Sequence, residues 1–381
     1  MSNFNNELMQ KLPKNFGFGC MRLPMKDNEV DYAQFIEMAD AFMNAGFNYF
    51  DTAHGYIEGK SEIAIRECVV KRYPRESFIL TNKLSGWFFE SADQIRDLFN
   101  IQLQACGVDY FDFYLMHAQG RGNYPHFKAC KAYEQAFELK KEGKVKHVGL
   151  SFHDTAEYLD KILTENPEIE IVQIQFNYLD FEDPEVQSRA CYEVCQKHGK
   201  PIIIMEPVKG GQLVNLPAKA LEVFNSLSPD LSPASYAIRF ACSFESNVMV
   251  LSGMSNLEQM NDNLSFMKEF KPLCDNEYNA INKVKAILEE LKVIPCTACR
   301  YCTDGCPQKI LIPDLFACYN DQKVFTGVSK QWHYNANTKR NGKASDCIEC
   351  GACESVCPQH LKIRELLKEV AKEFENNGNN I

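Results

Sequence analysis

No apolar run in this sequence approaches the ~20 residues that a helix needs to cross a bilayer. The opening segment, MSNFNNELMQKLPKN, lacks the apolar core of a secretory signal. No membrane partner is expected, and the protein reads as cytoplasmic. Basic charge is in deficit: 41 Lys and Arg stand against 51 Asp and Glu, for a formal net charge of −10. Nucleic-acid-binding domains carry a clustered excess of basic residues, so no nucleic-acid partner is expected either. No G-x-G-x-x-G turn follows any apolar run, which weighs against a doubly wound dinucleotide-binding sheet. Disorder is excluded by a hydrophobic content of 45%, and 381 residues suffice for two domains.

Cysteine is in excess, with 17 in the chain. A disulfide framework does not suit a cytosolic compartment. Nine of them (Cys20, Cys68, Cys106, Cys130, Cys191, Cys195, Cys242, Cys274 and Cys318) are scattered and read as small buried hydrophobes. The other eight fall in two runs, CTACRYCTDGCP (296–307) and CIECGACESVCP (347–358), each spelling C-x2-C-x2-C-x3-C-P. In bacterial two-cluster ferredoxins the first three thiolates of such a run hold one [4Fe–4S] cube and the fourth reaches to the other. That pattern assigns Cys296, Cys299, Cys302 and Cys357 to one cluster, and Cys347, Cys350, Cys353 and Cys306 to the second. A pair of four-cysteine zinc sites is the alternative, but zinc knuckles separate paired C-x2-C units by a longer loop. The 40 residues between Cys306 and Cys347 are long for a compact ferredoxin. Their Tyr319, Trp332, His333 and Tyr334 read as filling a small local core, shielding a cluster, or docking on the rest of the protein.

Before residue 270, near-continuous apolar runs alternate with amphipathic helical patterns. The runs are FGFGCMRLP (16–24), FNYFDTA (47–53), SFILTNK (77–83), FDFYLMH (111–117), KHVGLSF (146–152), IVQIQFN (171–177), PIIIMEP (201–207) and NVMVLSG (247–253). Helical periodicity covers 32–45, 125–141, 184–198 and 256–270, among others. Eight such units in about 250 residues predict a (β/α)8 TIM barrel. The boundary falls near 272–276. Residues 1–273 are then the barrel, and 274–381 a small α+β ferredoxin-like domain.

Chemistry in such a barrel sits at the C-terminal ends of the strands. The polar residues there are Asp51, with Tyr56 just beyond it, then Lys83, His117, Ser151, Gln175 and Asn177. A tyrosine beside an ammonium becomes a stronger acid, a carboxylate can hold that ammonium, and a histidine can orient a carbonyl oxygen. The set suits proton delivery to a carbonyl while hydride arrives at its carbon. His54 and His153 read as polar rim residues. Trp87, Phe88, Phe89 and Tyr124 either line an apolar pocket or pack locally.

With GFGCMRLP, FDTAHGYIEGKSE, TNK, FYLMH, VGLSF, VQIQFNY and GMSNLEQMNDNL in place, residues 16–270 resemble an aldo-keto reductase. With the cysteine-rich tail, the whole chain resembles that family's iron–sulfur-containing branch. The resemblance implies Tyr56 as general acid/base, Lys83 lowering its pKa, Asp51 anchoring Lys83, and His117 positioning substrate. It implies Ser151 and Gln175 at the nicotinamide carboxamide, and Gly253, Gln259 and Asn263 at the adenine nucleotide. Gly210 and Gly211 fall in the cofactor loop after the seventh strand. Three positions depart from the family pattern. No basic residue follows the eighth strand to meet a 2′-phosphate, although Lys209 reads as a surface lysine or a phosphate contact, so NADH and NADPH both stay open. Met205 stands where an aromatic often stacks on nicotinamide, and Phe152 replaces the usual Asn.

Hydride transfer moves two electrons and each cube moves one. Three arrangements answer this mismatch: the clusters relay electrons from an external ferredoxin-like donor, they are structural or redox-sensing, or the barrel binds flavin. The expected partner is a small carbonyl or alcohol. A different class, a redox sensor or electron-transfer protein with an inactive barrel, is the alternative to an enzyme.

Overall fold

The computed structural model describes residues 15–291, 293–324 and 330–375. Its barrel strands are β1 (Phe16–Gly19), β4 (Tyr49–Asp51), β5 (Ile79–Leu84), β6 (Phe111–Gln119), β7 (Val145–Phe152), β8 (Ile171–Gln175), β9 (Ile202–Met205) and β10 (Asn247–Ser252). A small antiparallel hairpin of β2 (Met25–Lys26) and β3 (Glu29–Val30) lies outside the barrel sheet. Every barrel pairing is parallel, and β1 closes the ring by pairing with both β4 and β10. The predicted barrel is present, with each strand inside the run assigned to it or within two residues of it.

Local chemistry starts and stops the covering helices. Asp31, Ser91 and Asn256 accept hydrogen bonds from the backbone N–H three residues on, capping the helices Tyr32–Asn44, Ala92–Cys106 and Leu257–Met267. The helical pattern over 125–141 is in fact two helices, Tyr124–Ala129 and Ala132–Lys141, broken where Lys131 takes φ 54°. The barrel interior is filled by Tyr49, Ile79, Phe113, Leu115, Ile171, Ile203, Val248, Met249 and Leu251. At Gly149 a side chain has no room, because a Cβ would sit 2.6 Å from Ile171 and 2.7 Å from Leu115.

By internal contacts the chain divides at Pro207/Val208, Tyr236/Ala237 and Leu273/Cys274. The first unit holds all the barrel strands. The second takes 208–236 together with the residues after 273, so the helix Ala218–Leu227 packs on Asp275–Leu291. The described part of this unit is helical apart from one isolated parallel bridge, Ile310 with Gly342. Its core joins Leu315, Phe316, Leu367, Val370 and Phe374. Of the insert aromatics, Tyr319 and Tyr334 are in this core, with Tyr334 stacked on Phe374 at 4.7 Å. Trp332 is exposed. Eight of the nine scattered cysteines are buried as expected, whereas Cys274 is exposed because it precedes the helix Asp275–Leu291 outside either core.

At the N-terminal end of β6, Asp112 accepts from Arg75 (2.6 Å), Lys146 (2.7 Å) and the Leu80 N–H (3.0 Å). Removing this buried carboxylate takes away charged hydrogen bonds, at a cost of about 1.5–3 kcal/mol, since Lys146 is part-exposed and Arg75 keeps the Phe78 and Tyr110 carbonyls. Asp112→Ala is therefore expected to lower the thermal midpoint by several degrees, read by circular dichroism. An unchanged midpoint would contradict the assignment of this carboxylate to stability.

Candidate active site and candidate cluster recess

Strand periodicity delivers the polar groups to the barrel mouth. Successive inward side chains are two residues apart, so Asp51 follows Tyr49, Lys83 follows Thr81 and Ile79, His117 follows Leu115 and Phe113, and Gln173 and Gln175 follow Ile171. Gln173 Nε2 donates to Asp51 Oδ2 at 3.3 Å. These residues stand on β8 and β4, on opposite sides of the ring, so this bond crosses the interior.

At the centre, Lys83 Nζ donates to Asp51 Oδ1 at 2.5 Å and to the Thr52 carbonyl at 2.9 Å. Both charged side chains are almost fully enclosed. Burial lowers the Lys83 pKa and raises that of Asp51, and in each case their mutual attraction opposes the shift. The same ammonium lies 4.8 Å from the centroid of the Tyr56 ring. The His117 ring is 5.9 Å from that of Tyr56, at 75°. The structure thus brings Asp51, Tyr56, Lys83 and His117 together.

The direction of the Tyr56 shift differs from the expectation. Burial pushes its pKa well above the ordinary 10, the carboxylates of Asp51 and Glu206 push the same way, and Arg22 opposes them. Desolvation of the phenolate outweighs the ammonium beside the ring. The His117 pKa falls well below 6.5, chiefly through burial and then through the Lys83 charge, while its Nδ1 shares a 2.6 Å hydrogen bond with Ser85 Oγ. The site therefore rests with a protonated phenol and a neutral imidazole.

Thr52, Ser85, Arg22, Glu206 and Gln173 were missed in the sequence. Only Gln173 carried a usable signal, its parity with Gln175 on an inward strand face. Around the tetrad, Trp87 lies 5.5 Å from His117 and Phe88 lies 4.8 Å from His54, ring to ring, and both are substantially exposed. Phe89 and Tyr124 are buried instead. His54 shares a 2.8 Å bond with the buried Glu62.

The predicted cofactor residues divide. Ser151 Oγ accepts from the Ala118 N–H at 2.8 Å. Gln175 shares its Oε1 with His153 at 3.2 Å, and its Nε2 is buried with no hydrogen-bond partner. An orphaned buried amide donor at a strand end fits a carbonyl acceptor such as a carboxamide. Asn263 is buried and donates to Ser252 Oγ at 2.8 Å. Gln259 is exposed, and its Oε1 is occupied by the Ser255 N–H at 2.8 Å. Gly253 is exposed and borders the Arg22 side chain. Asn177 is occupied in a turn, donating to Asp180 at 2.7 Å and to the Glu206 carbonyl. Gly210 and Gly211 belong to the second unit. There a Cβ on Gly210 would fall 2.5 Å from the Thr297 carbonyl oxygen. Lys209 is not a surface residue: it is buried, with Nζ 3.4 Å from Gln359 Oε1, because the segment carrying Gln359 covers it.

In the second unit, Cys306, Cys347, Cys350 and Cys353 line one recess with Pro307, Ile310 and Arg364. Burial raises the Cys302 pKa, and Cys299, Cys296 and Cys357 add to the shift, which groups the other four thiols. The two runs repeat the same backbone device. Ala298 and Arg300 have φ of 53° and 67° around Cys299, and Glu349 and Gly351 have 56° and 78° around Cys350. Lys309 and His360, each three residues beyond a fourth cysteine, have 52° and 50°. Alternating left- and right-handed residues turn successive N–H groups into an anion-binding concavity, a geometry found at iron–sulfur sites. Five of these six residues are not glycine, so the strain is kept against a cost of about 1–2 kcal/mol each. Among the described residues, no group of three or more His, Cys, Asp or Glu is arranged to hold a single metal ion.

A model of the aldo/keto reductase family matches residues 15–286, and a model of the 4Fe-4S dicluster domain matches residues 295–362. An uncharacterized oxidoreductase of Bacillus subtilis, YqkF, is 23% identical over 281 residues, covering 65% of this chain and 85% of that protein. The NADH-specific methylglyoxal reductase of Escherichia coli is 28% identical over 187 residues, 44% of this chain and 54% of that one. Among solved structures, the holo form of an aldo-keto reductase from Bacillus halodurans has a TM-score of 0.58 at 23% identity, covering 71% of this chain and 91% of its own. An aldo-keto reductase from Klebsiella pneumoniae in complex with NADPH also has a TM-score of 0.58, at 18% identity, with 71% and 90% covered. No described helix is long and apolar enough to cross a membrane.

The enclosure of His117 has a direct readout. Its imidazole, followed by NMR across pH, is expected to titrate below 6.5. A midpoint at or above that value would contradict a buried, neutral ring beside an ammonium.

Proposed function

The chain belongs to the aldo/keto reductase family, with a 4Fe-4S dicluster domain following the barrel, and from that premise we propose that it reduces a small carbonyl compound with NAD(P)H and carries two [4Fe–4S] clusters. The observation that carries this reading is the meeting of Tyr56, the enclosed Lys83–Asp51 pair and His117 at the barrel mouth.

A bound nicotinamide supplies the hydride, and bound clusters supply single-electron exchange. The chain does the rest. His117, uncharged, donates a hydrogen bond to the carbonyl oxygen without competing for its proton. Tyr56 gives its hydroxyl proton to that oxygen as hydride reaches the carbon, so the C=O bond becomes C–OH and a phenolate is left. Lys83, fixed by Asp51, stabilises that phenolate until solvent returns the proton. The high resting pKa suits this direction, since the acid is loaded throughout the neutral range. The Gln175 amide donor and Ser151 hold the carboxamide, while Asn263, Gly253 and Gln259 take the adenine end. Gly210 and Gly211 lie in the loop after β9, where Gly210 also packs against the Thr297 backbone.

Cys296, Cys299, Cys302 and Cys357 ligate the first cluster, and Cys347, Cys350, Cys353 and Cys306 the second. Two one-electron centres match one hydride in electron count. That supports exchange with an external donor or acceptor such as a ferredoxin.

In anaerobic protein holding about eight irons, Tyr56→Phe is expected to lower kcat for carbonyl-dependent NAD(P)H oxidation by about 100-fold or more, with iron content unchanged. Equal turnover in the variant would remove Tyr56 as the acid. The wild-type rate of reduction is expected to stay level between the His117 and Tyr56 ionisations, that is, from below 6.5 to above 10 in the titration of these two groups. An ionisation of either group near neutrality would contradict the proposed protonation states.

A further inference from the structure

Arg364 carries a buried donor that neither the fold nor the tetrad uses. It stands in the first turn of the helix Ile363–Phe374 and lines the same recess as Cys306, Cys347, Cys350 and Cys353. Its backbone N–H and its Nη2 are held by the two carboxylate oxygens of Glu354, at 2.9 and 2.8 Å. Its Nη1 lies 3.5 Å from the Glu349 carbonyl. These contacts fix the guanidinium plane. The Nε–H, by contrast, is buried and has no hydrogen-bond partner, although the side chain as a whole is 41% exposed. A fixed guanidinium with one enclosed N–H left over, on the wall of a four-thiol recess, needs an acceptor that the protein itself does not provide.

We propose that Arg364 tunes the cluster held by Cys306, Cys347, Cys350 and Cys353. Its Nε–H is the donor to a sulfur of that cluster, and its positive charge raises the cluster's reduction potential. The proposal rests on the ligand reading given above. Reduction adds one negative charge to an already anionic cube, and nearby cations and N–H donors favour the reduced form. Glu354 sets how much of that charge is felt. The other group of thiols has its own arginine, Arg300, but both of its Nη atoms are engaged by Asp314, at 2.9 and 2.6 Å. The two clusters are therefore electrochemically unequal, and Arg364 is a positioning and tuning residue for one of them.

The test is a redox titration followed by electron paramagnetic resonance, on full-length anaerobic protein, with iron counted in each sample. Arg364→Leu is expected to lower the reduced-to-oxidised ratio of one cluster about tenfold at the wild-type midpoint, equivalent to about 59 mV for one electron. Glu354→Gln is expected to raise the same ratio, and the other cluster keeps its midpoint in both variants. If Arg364→Leu loads fewer irons, Glu354→Gln decides: a rise at one cluster sustains the proposal and unmoved midpoints overturn it. Both variants holding about eight irons with unmoved midpoints also overturn it. Wild-type protein that binds zinc or no iron overturns the ligand reading instead, a result separable from failure of the arginine assignment.

Discussion

The contact between the Lys83 ammonium and the Asp51 carboxylate, at 2.5 Å inside the barrel, is the constraint from which the rest of the site follows. Neither charge can be there alone, because an isolated buried ion costs several kcal/mol and removing one partner of such a pair about 3–5 kcal/mol. Together they are tied further by the Thr52 carbonyl and by Gln173 reaching across from β8. The pair therefore has one geometry. That geometry sets an ammonium over the face of Tyr56, and its positive charge adds to the burial that keeps His117 from protonating. Two groups whose ordinary ionisations bracket neutrality are pushed apart. The wide gap leaves a loaded acid and an uncharged hydrogen-bond donor side by side.

A second kind of constraint operates in the cysteine-rich unit. There the backbone holds the strain, through left-handed residues repeated at matching places in both cysteine runs. Left-handed Ala298, Arg300 and Glu349 are costly unless the N–H groups they redirect meet an anion, whereas Lys309 and His360 close turns onto the Cys306 and Cys357 carbonyls. Helix packing around Leu315, Phe316, Leu367 and Phe374 supplies the apolar support that a segment of short turns cannot supply for itself. The insert between the runs contributes to that core through Tyr319 and Tyr334, while its Trp332 is exposed.

Much of this was legible because the relevant signals are local. Asp51, Lys83, His117, Ser151 and Gln175 each end an apolar run, and a parallel barrel makes the end of a run a functional address. The ferredoxin-type cysteine spacing grouped Cys306 with Cys347, Cys350 and Cys353, and these four line one recess. Other features depend on tertiary contact and left no mark in the sequence. The Lys209 side chain reads as solvated until the segment carrying Gln359 covers it. The packing of Gly210 against the Thr297 backbone is likewise absent from residue order. The acidity of Tyr56 was inferred from a neighbouring cation, but its resting state is decided by burial, which residue order does not reveal. Arg364 was one charge among many on an amphipathic tail, distinguished only when its Nε was found enclosed.

The central claim is that Asp51 and Lys83 act as one unit. A double-mutant cycle on kcat/KM for carbonyl reduction, using Asp51→Asn, Lys83→Met and the two combined, tests it most directly. The account predicts strong non-additivity, with the double variant about as impaired as the worse single one and a coupling of about 2 kcal/mol or more. Losses that simply add would mean that the two residues contribute independently, and the account would be wrong.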